Sequence, residues 1–293
     1  MITIIFVYLY PLCRGFSHNL KSTQLPWYTA IMPIDGKQIA KTLLASLSKD
    51  VVALAKQGIT PTLAVIQIGD DPASTAYIRQ KQKAATAIGA KLVISNHESG
   101  IRNHELKNCI DQFNHDASVH GIILQRPLPP GIRSDGIIPV KDVDGFLPGS
   151  PYQVPVAMAV LKILEKIFPD SSFLIHHSVV VLGMGETAGG PIAEALRKRG
   201  VDPIVLHSQT SNPDAIIKTA DVVISCVGKP NVVRRDFLKP GVALVSVGIW
   251  RDSTGKLHGD YEESNIADVA SAYTQTPGGV GPEIGRASCR ERV

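Results

Sequence analysis

Two side chains in the segment GDDPASTAYIRQKQKAA, residues 69–85, are of types that can do chemistry together. Tyr77 and Lys81 stand four residues apart, about one helical turn, so on a helix the phenol ring and the amine share a face. An aromatic plate can stack on a flat heterocycle. An amine can exchange protons near neutral pH once burial or a neighbouring cation lowers its pKa. The same spacing also suits a solvated helix face, and the pair alone does not choose between the two.

Two further stretches carry candidate groups. KDVDGF, residues 141–146, follows a proline-rich loop and reads as an extended segment with Asp142 and Asp144 on one side. Acidic loop residues are usually just solvated; a functional aspartate here would accept hydrogen bonds from a donor-rich heterocycle. VVVLGMGETAGGP reads as strand, glycine turn and helix start, with Gly183, Gly185 and Gly189 in the turn. Such glycines let backbone approach a pyrophosphate whose charge is stabilised at the helix N-terminus. Plain strand–helix turns use glycine too, but the alternating context favours the nucleotide. At the end of the next strand an NAD site usually places a carboxylate for the ribose hydroxyl. This chain has His207, Ser208, Gln209 and Thr210 there. Hydroxyls and an imidazole suit a 2′-phosphate, which favours NADP, with NAD as the alternative.

The elements that must position these groups alternate. PTLAVIQI (61–68), KLVIS (91–95) and GIILQ (121–125) are apolar runs of strand length, separated by helical stretches from Pro72 to about Ile88 and over 103–117. Asp71 is placed to cap the first of these helices, with Pro72 at its first position. Before them, Ile39, Leu43, Leu47, Val51 and Leu54 recur at helical spacing. A loop rich in proline and glycine follows to residue 155. A helix over 156–167 then precedes a second alternation: strand 178–183, helix 188–199, strand 203–207, helix 213–219, and strands 221–228 and 242–248. The fold class expected is α/β in two domains, a catalytic domain over 32–154 with a parallel sheet and a Rossmann-type domain over 155–282.

Composition excludes several classes. The 293 residues are 44% hydrophobic and 19% charged, which is globular rather than disordered. The net charge of +4 is small, and no basic stripe interleaved with aromatics supports nucleic-acid binding. Cys13, Cys109, Cys226 and Cys289 lack metal or redox spacing, and the adjacent His176 and His177 read as loop residues, so no metal is expected. Unpaired cysteines point to a reducing, cytoplasmic compartment. The apolar start, MITIIFVYLYPLC, is too short to span a bilayer and has no basic flank, so no membrane role is expected. The natural start is expected at Met32, with residues 1–31 a non-native extension. IGRASCRERV at the other end reads as adapter-derived sequence over 283–293, in place of a native C-terminus.

Taken in order, PTLAVIQIGDDPASTAYIRQKQKAATAIGA, HGIILQRPLP, KDVDGF, GKLHGD and TPGGVGP resemble the bifunctional methylenetetrahydrofolate dehydrogenase/cyclohydrolase family, from Met32 to Pro282. The resemblance implies NADP-linked oxidation of 5,10-methylenetetrahydrofolate, hydrolysis of the methenyl product to 10-formyltetrahydrofolate, and a homodimer. It implies that Tyr77 stacks on the folate, that Lys81 is the general acid/base, and that Gln125 holds Lys81. Asp144 then matches a pterin-binding aspartate, and Pro277, Gly278 and Gly279 a turn closing over the folate. Gly183, Met184, Gly185, Gly189, Ser208, Gly248 and Ile249 form the corresponding cofactor set. Met184 and Gly185 replace a usual arginine and serine, Arg126 a usual leucine, Ser246 a common aspartate, and PYQVP a Pro-Cys-Thr-Pro type segment. If the tail is adapter-derived, a helix usual after PGGVGP is expected to be missing from the sequence as given. The rival readings are another two-domain Rossmann dehydrogenase, or a relative that binds folate or nucleotide without turnover.

Overall fold

The computed structural model describes residues 32–170 and 175–281. The expected extension over 1–31 and the expected tail over 283–293 lie outside the described residues.

Three parallel strands, β2 (Thr62–Ile68), β3 (Lys91–His97) and β4 (Gly121–Leu124), form a sheet in the order β3-β2-β4. Every residue of central β2 is buried. That explains its nearly unbroken apolar run, since a parallel sheet is covered on both faces. Leu106 and Ile110 of α3 (Asn103–His115) cover one face with Ala64, Ile66 and Ile122. Ile78 of α2 (Pro72–Ile88) covers the other with Leu63, Val65 and Ile123. Asp71 caps α2 as expected: its Oδ2 accepts from the Ser74 N–H at 2.7 Å, and Pro72 opens the helix. Gly89 closes α2 in the left-handed conformation at φ 84°. Helix α1 (Gly36–Ala55) packs Leu47 and Val51 on Ile88 of α2.

The second sheet has six parallel strands in the order β1-β11-β8-β7-β5-β6. These are β1 (Met32–Ile34), β5 (Val179–Leu182), β6 (Ile204–Leu206), β7 (Val222–Ser225), β8 (Ala243–Ser246) and β11 (Ala272–Thr274). Helix α4 (Pro155–Ile167) is apolar on most of its surface because it packs on this sheet beside α5 (Gly189–Arg197). Helix α6 (Pro213–Ile217), strands β9 (Ile249–Arg251) and β10 (Leu257–Gly259), and helix α7 (Glu263–Ile266) complete the unit.

Two expectations change. Residues 32–34 do not belong to the first sheet; β1 pairs with β11, so the described chain enters the second sheet before building the first. Segment 141–146 is not extended either. A single-turn 3-10 helix at Pro139–Lys141 runs into it, the Gly145 N–H donates to the Asp142 carbonyl, and Gly145 takes φ 66°. Asp142 and Asp144 therefore differ in setting: Asp142 is buried and Asp144 half-buried.

Candidate active site

Helix α2 points Lys81 toward the end of β4. Its Nζ donates to Gln125 Oε1 at 2.8 Å, and Gln125 Nε2 donates to the Arg126 carbonyl at 2.9 Å. Gln125 is 8% exposed and its own N–H continues the ladder to Ile66, so the acceptor that meets the amine is fixed by the sheet. Ser74 Oγ also donates to the Arg126 carbonyl. The half-buried lysine thus reaches from α2 to an acceptor at the end of β4 rather than lying on a solvated helix face.

Tyr77 is 44% exposed, high for an aromatic residue, and opens on a cleft of about 610 Å³. Facing it are Pro277, Gly278, Gly279 and Ile249. The turn 276–279 is held where Glu263 Oε1 accepts from the Thr276 N–H and Gln275 O accepts from the Gly279 N–H. Gly36 lies so close to it that a Cβ there would run into the carbonyls of Gly278 and Gly279. The structure therefore brings Tyr77, the 277–279 turn and Ile249 into one cleft, and joins Lys81 to Gln125 one helical turn along α2 from Tyr77; neither Lys81 nor Gln125 is among the residues lining that cleft. Asp144 is not among the residues lining that cleft.

Asp142 is a structural carboxyl. It accepts from the Leu147 N–H at 2.9 Å, and burial, helped by the nearby Asp144, pushes its pKa up.

The glycine turn behaves as a close-packed strand–helix junction. Gly183 takes φ 93°, and a Cβ on Gly189 would strike the Gly183 carbonyl, so α5 begins almost in contact with the end of β5. Gly185 is different: a Cβ there meets nothing within 4 Å. Residues 184–187 are exposed, and Ala188 supplies no side-chain cap to α5. The turn lies by a second cavity of about 540 Å³, lined by Arg126, Arg133, Glu186 and Thr187 among others. Beyond β6, Thr210 Oγ1 accepts from the His207 N–H and His207 Nδ1 from the Gln209 N–H, so both side chains serve the turn. Ser208 stays exposed.

Asp260 was not among the residues expected from sequence. It is fully buried, and its carboxylate accepts from Ser225 Oγ and from the N–H groups of Val227, Gly228 and Lys229. A Cβ on Gly248 would collide with that carboxylate. The glycine at 248 is thus demanded by the Gly228 N–H and the Asp260 carboxylate, and Asp260 orders the loop after β7. The only hint in the sequence is the end of GKLHGD, where nothing marks the aspartate as buried. Beside it, burial and the Asp260 charge push the Cys226 thiol up to about 12, so this cysteine is an inert core group. Among the described residues no cluster could hold a metal ion, and no helix is long and apolar enough to cross a membrane.

Two α/β units, one presenting a lysine–glutamine pair and the other a glycine turn at a helix start, define a dehydrogenase-like architecture. Comparison with known proteins makes this specific. Residues 34–144 match the catalytic domain of tetrahydrofolate dehydrogenase/cyclohydrolase, and residues 155–286 match the NAD(P)-binding domain of the same family. The bifunctional protein FolD of Bacillus licheniformis is 39% identical over 262 residues, covering 85% of this chain and 91% of that protein. The FolD crystal structure from Campylobacter jejuni is 33% identical with a TM-score of 0.84, covering 90% of this chain and 97% of that one. The Trypanosoma brucei enzyme, solved with NADP and an inhibitor, is 29% identical with a TM-score of 0.83, covering 89% and 96%. This chain belongs to the tetrahydrofolate dehydrogenase/cyclohydrolase family.

Proposed function

We propose that the chain oxidises 5,10-methylenetetrahydrofolate to 5,10-methenyltetrahydrofolate with NADP and hydrolyses the latter to 10-formyltetrahydrofolate. The observation that carries the reading is the Lys81–Gln125 hydrogen bond one helical turn from Tyr77, in a chain whose two halves match the family's two domains. Tyr77 supplies a plate for the flat part of the folate. Lys81 moves the proton as water adds to the one-carbon bridge and the ring opens, and Gln125 fixes where that amine sits. Asp144 hydrogen-bonds the pterin donors, and Pro277, Gly278 and Gly279 close the other wall.

A dinucleotide fits the second unit. The open space over Gly185 and the start of α5, which has no side-chain cap, suit a pyrophosphate. Gly183, Met184, Gly185 and Gly189 would line it, with Ser208 near the ribose and Gly248 and Ile249 toward the folate. When bound, the nicotinamide accepts the hydride that leaves the one-carbon bridge. The lack of a carboxylate at 207–210 supports NADP over NAD. A homodimer in the cytoplasm completes the reading, and sedimentation tests the dimer. The deciding experiment is a spectrophotometric assay of methylenetetrahydrofolate with each nucleotide. Turnover with higher kcat/KM for NADP is expected; no turnover with either would overturn the assignment, and NAD equal to NADP would overturn the preference.

A further inference from the structure

The ion pair Arg126–Glu186 joins the two units at the cofactor side. Arg126 follows Gln125 directly, and its side chain is 15% exposed. Its guanidinium lies over the Phe146 ring, 4.5 Å from the centroid, and Nη1 meets Glu186 Oε1 at 2.5 Å. Glu186 stands within the glycine turn, three residues before Gly189, with 69% of its side chain exposed.

A carboxylate in that position is a liability for the nucleotide reading on which this inference rests. Neighbouring Met184 brings no charge, Glu186 brings a negative one, and the pyrophosphate is itself anionic. We propose that Arg126 is a positioning and charge-compensating residue for the dinucleotide. It neutralises Glu186 and holds that side chain on the folate-domain side of the turn. The guanidinium is well suited to this. Its flat face keeps the Phe146 contact while its edge pairs with the carboxylate, an arrangement lysine cannot reproduce. Because Glu186 is exposed, the pair contributes little to stability. Its effect lies in the potential at the turn, which decays within about 8–10 Å at ordinary salt.

The test is direct NADP binding by isothermal titration calorimetry, without folate, on wild type, Arg126→Met, Glu186→Gln and the double variant. Methionine keeps an unbranched apolar stem over Phe146. Arg126→Met should raise Kd for NADP about three- to tenfold at low salt, the scale of one uncompensated charge near an anion. The loss should shrink at high salt. Glu186→Gln should bind as well as wild type or better, and the double variant should recover to the level of Glu186→Gln. An unchanged Kd in Arg126→Met would overturn the proposal, as would a double variant as weak as Arg126→Met. Weakened binding in Glu186→Gln would also overturn it, because that would make the tether rather than the charge the active element. Wild-type turnover tests the enzyme reading separately: a chain that shows this binding pattern without turnover keeps the present inference and loses the other.

Discussion

Replacing Lys81 by methionine removes the amine and keeps an apolar stem of similar length. Two separate costs follow. If Lys81 carries the proton transfer, general acid–base catalysis predicts a loss of about 10²–10⁴ in cyclohydrolase turnover. At about 1.36 kcal/mol per tenfold, that is roughly 2.7–5.5 kcal/mol of barrier. The second cost falls on the fold. Gln125 Oε1, on a residue only 8% exposed, loses the donor now 2.8 Å away. A buried acceptor left without its partner costs about 1–3 kcal/mol, or very roughly 2–4 °C of melting temperature per kcal/mol in a chain of this order of size. Methenyltetrahydrofolate hydrolysis, followed by absorbance well below the melting transition, isolates the first cost, and thermal unfolding isolates the second. The variant Lys81→Met/Gln125→Leu separates them further. It removes the stranded acceptor, while the Arg126 carbonyl keeps its Ser74 donor. Stability should return in part and activity should not. A loss of only a few-fold in Lys81→Met, or recovery of turnover in the double variant, would refute the assignment of the lysine.

The remaining predictions use the same kind of separation. Tyr77→Ala should raise KM for the folate and Tyr77→Phe should change it little, both with an unaltered melting temperature because the ring is 44% exposed; steady-state kinetics read the pair. Gly189→Ala should unfold at clearly lower temperature because its Cβ meets the Gly183 carbonyl, whereas Gly185→Ala should melt like wild type and bind NADP more weakly in a calorimetric titration. Gln153→Met should stabilise by about 1 kcal/mol in urea titrations, since Gln153 Oε1 is buried with no hydrogen-bond partner among the described residues. Asp142, whose pKa burial raises in the folded state, binds its proton more tightly there than in the unfolded chain. Its contribution is therefore fully present below about pH 3.9, the ordinary aspartate value, and is lost as pH rises through the raised folded value. The stability of wild type relative to Asp142→Asn should fall as pH rises above about 4; urea melts that gave a flat or rising difference would contradict it.

Long elements with strong local signals were legible from sequence. Helix α2 carries Asp71 and Pro72 at its start, and the structure uses both. The apolar runs of β2, β4, β5, β7 and β8 are strands because both faces of their sheets are covered. What escaped was short or tertiary. β1, β9, β10 and β11 have three residues each, too few for a period to show. KDVDGF reads as extended only if the chain around Gly145 is not turning, and the turn depends on a positive φ that sequence does not announce. The Lys81–Gln125 pair was reached through resemblance, since 44 positions separate the two and no local pattern links them. Asp260 escaped because burial, not residue type, gives it its role.

The pairing of β1 with β11 turns the folate unit into an insertion. Met32–Ile34 and the described chain from Pro155 onward belong to one unit, built on the six-stranded sheet, and the residues between them form the other. That unit is therefore tethered to its neighbour twice, at Asp35 and near Val154, rather than by a single linker. Two connections leave the units less relative freedom than a single linker would. The order of synthesis matters as well. The strand that pairs with β11 is made before the rest of the described chain, and its partner almost last, with Met32 beside Ala272. During translation the exposed edge of β11's site cannot be filled early, and the ends must find each other across nearly the whole described sequence, a slow closure by its contact order. Cutting the chain once between the units would yield two fragments, neither holding a complete second sheet.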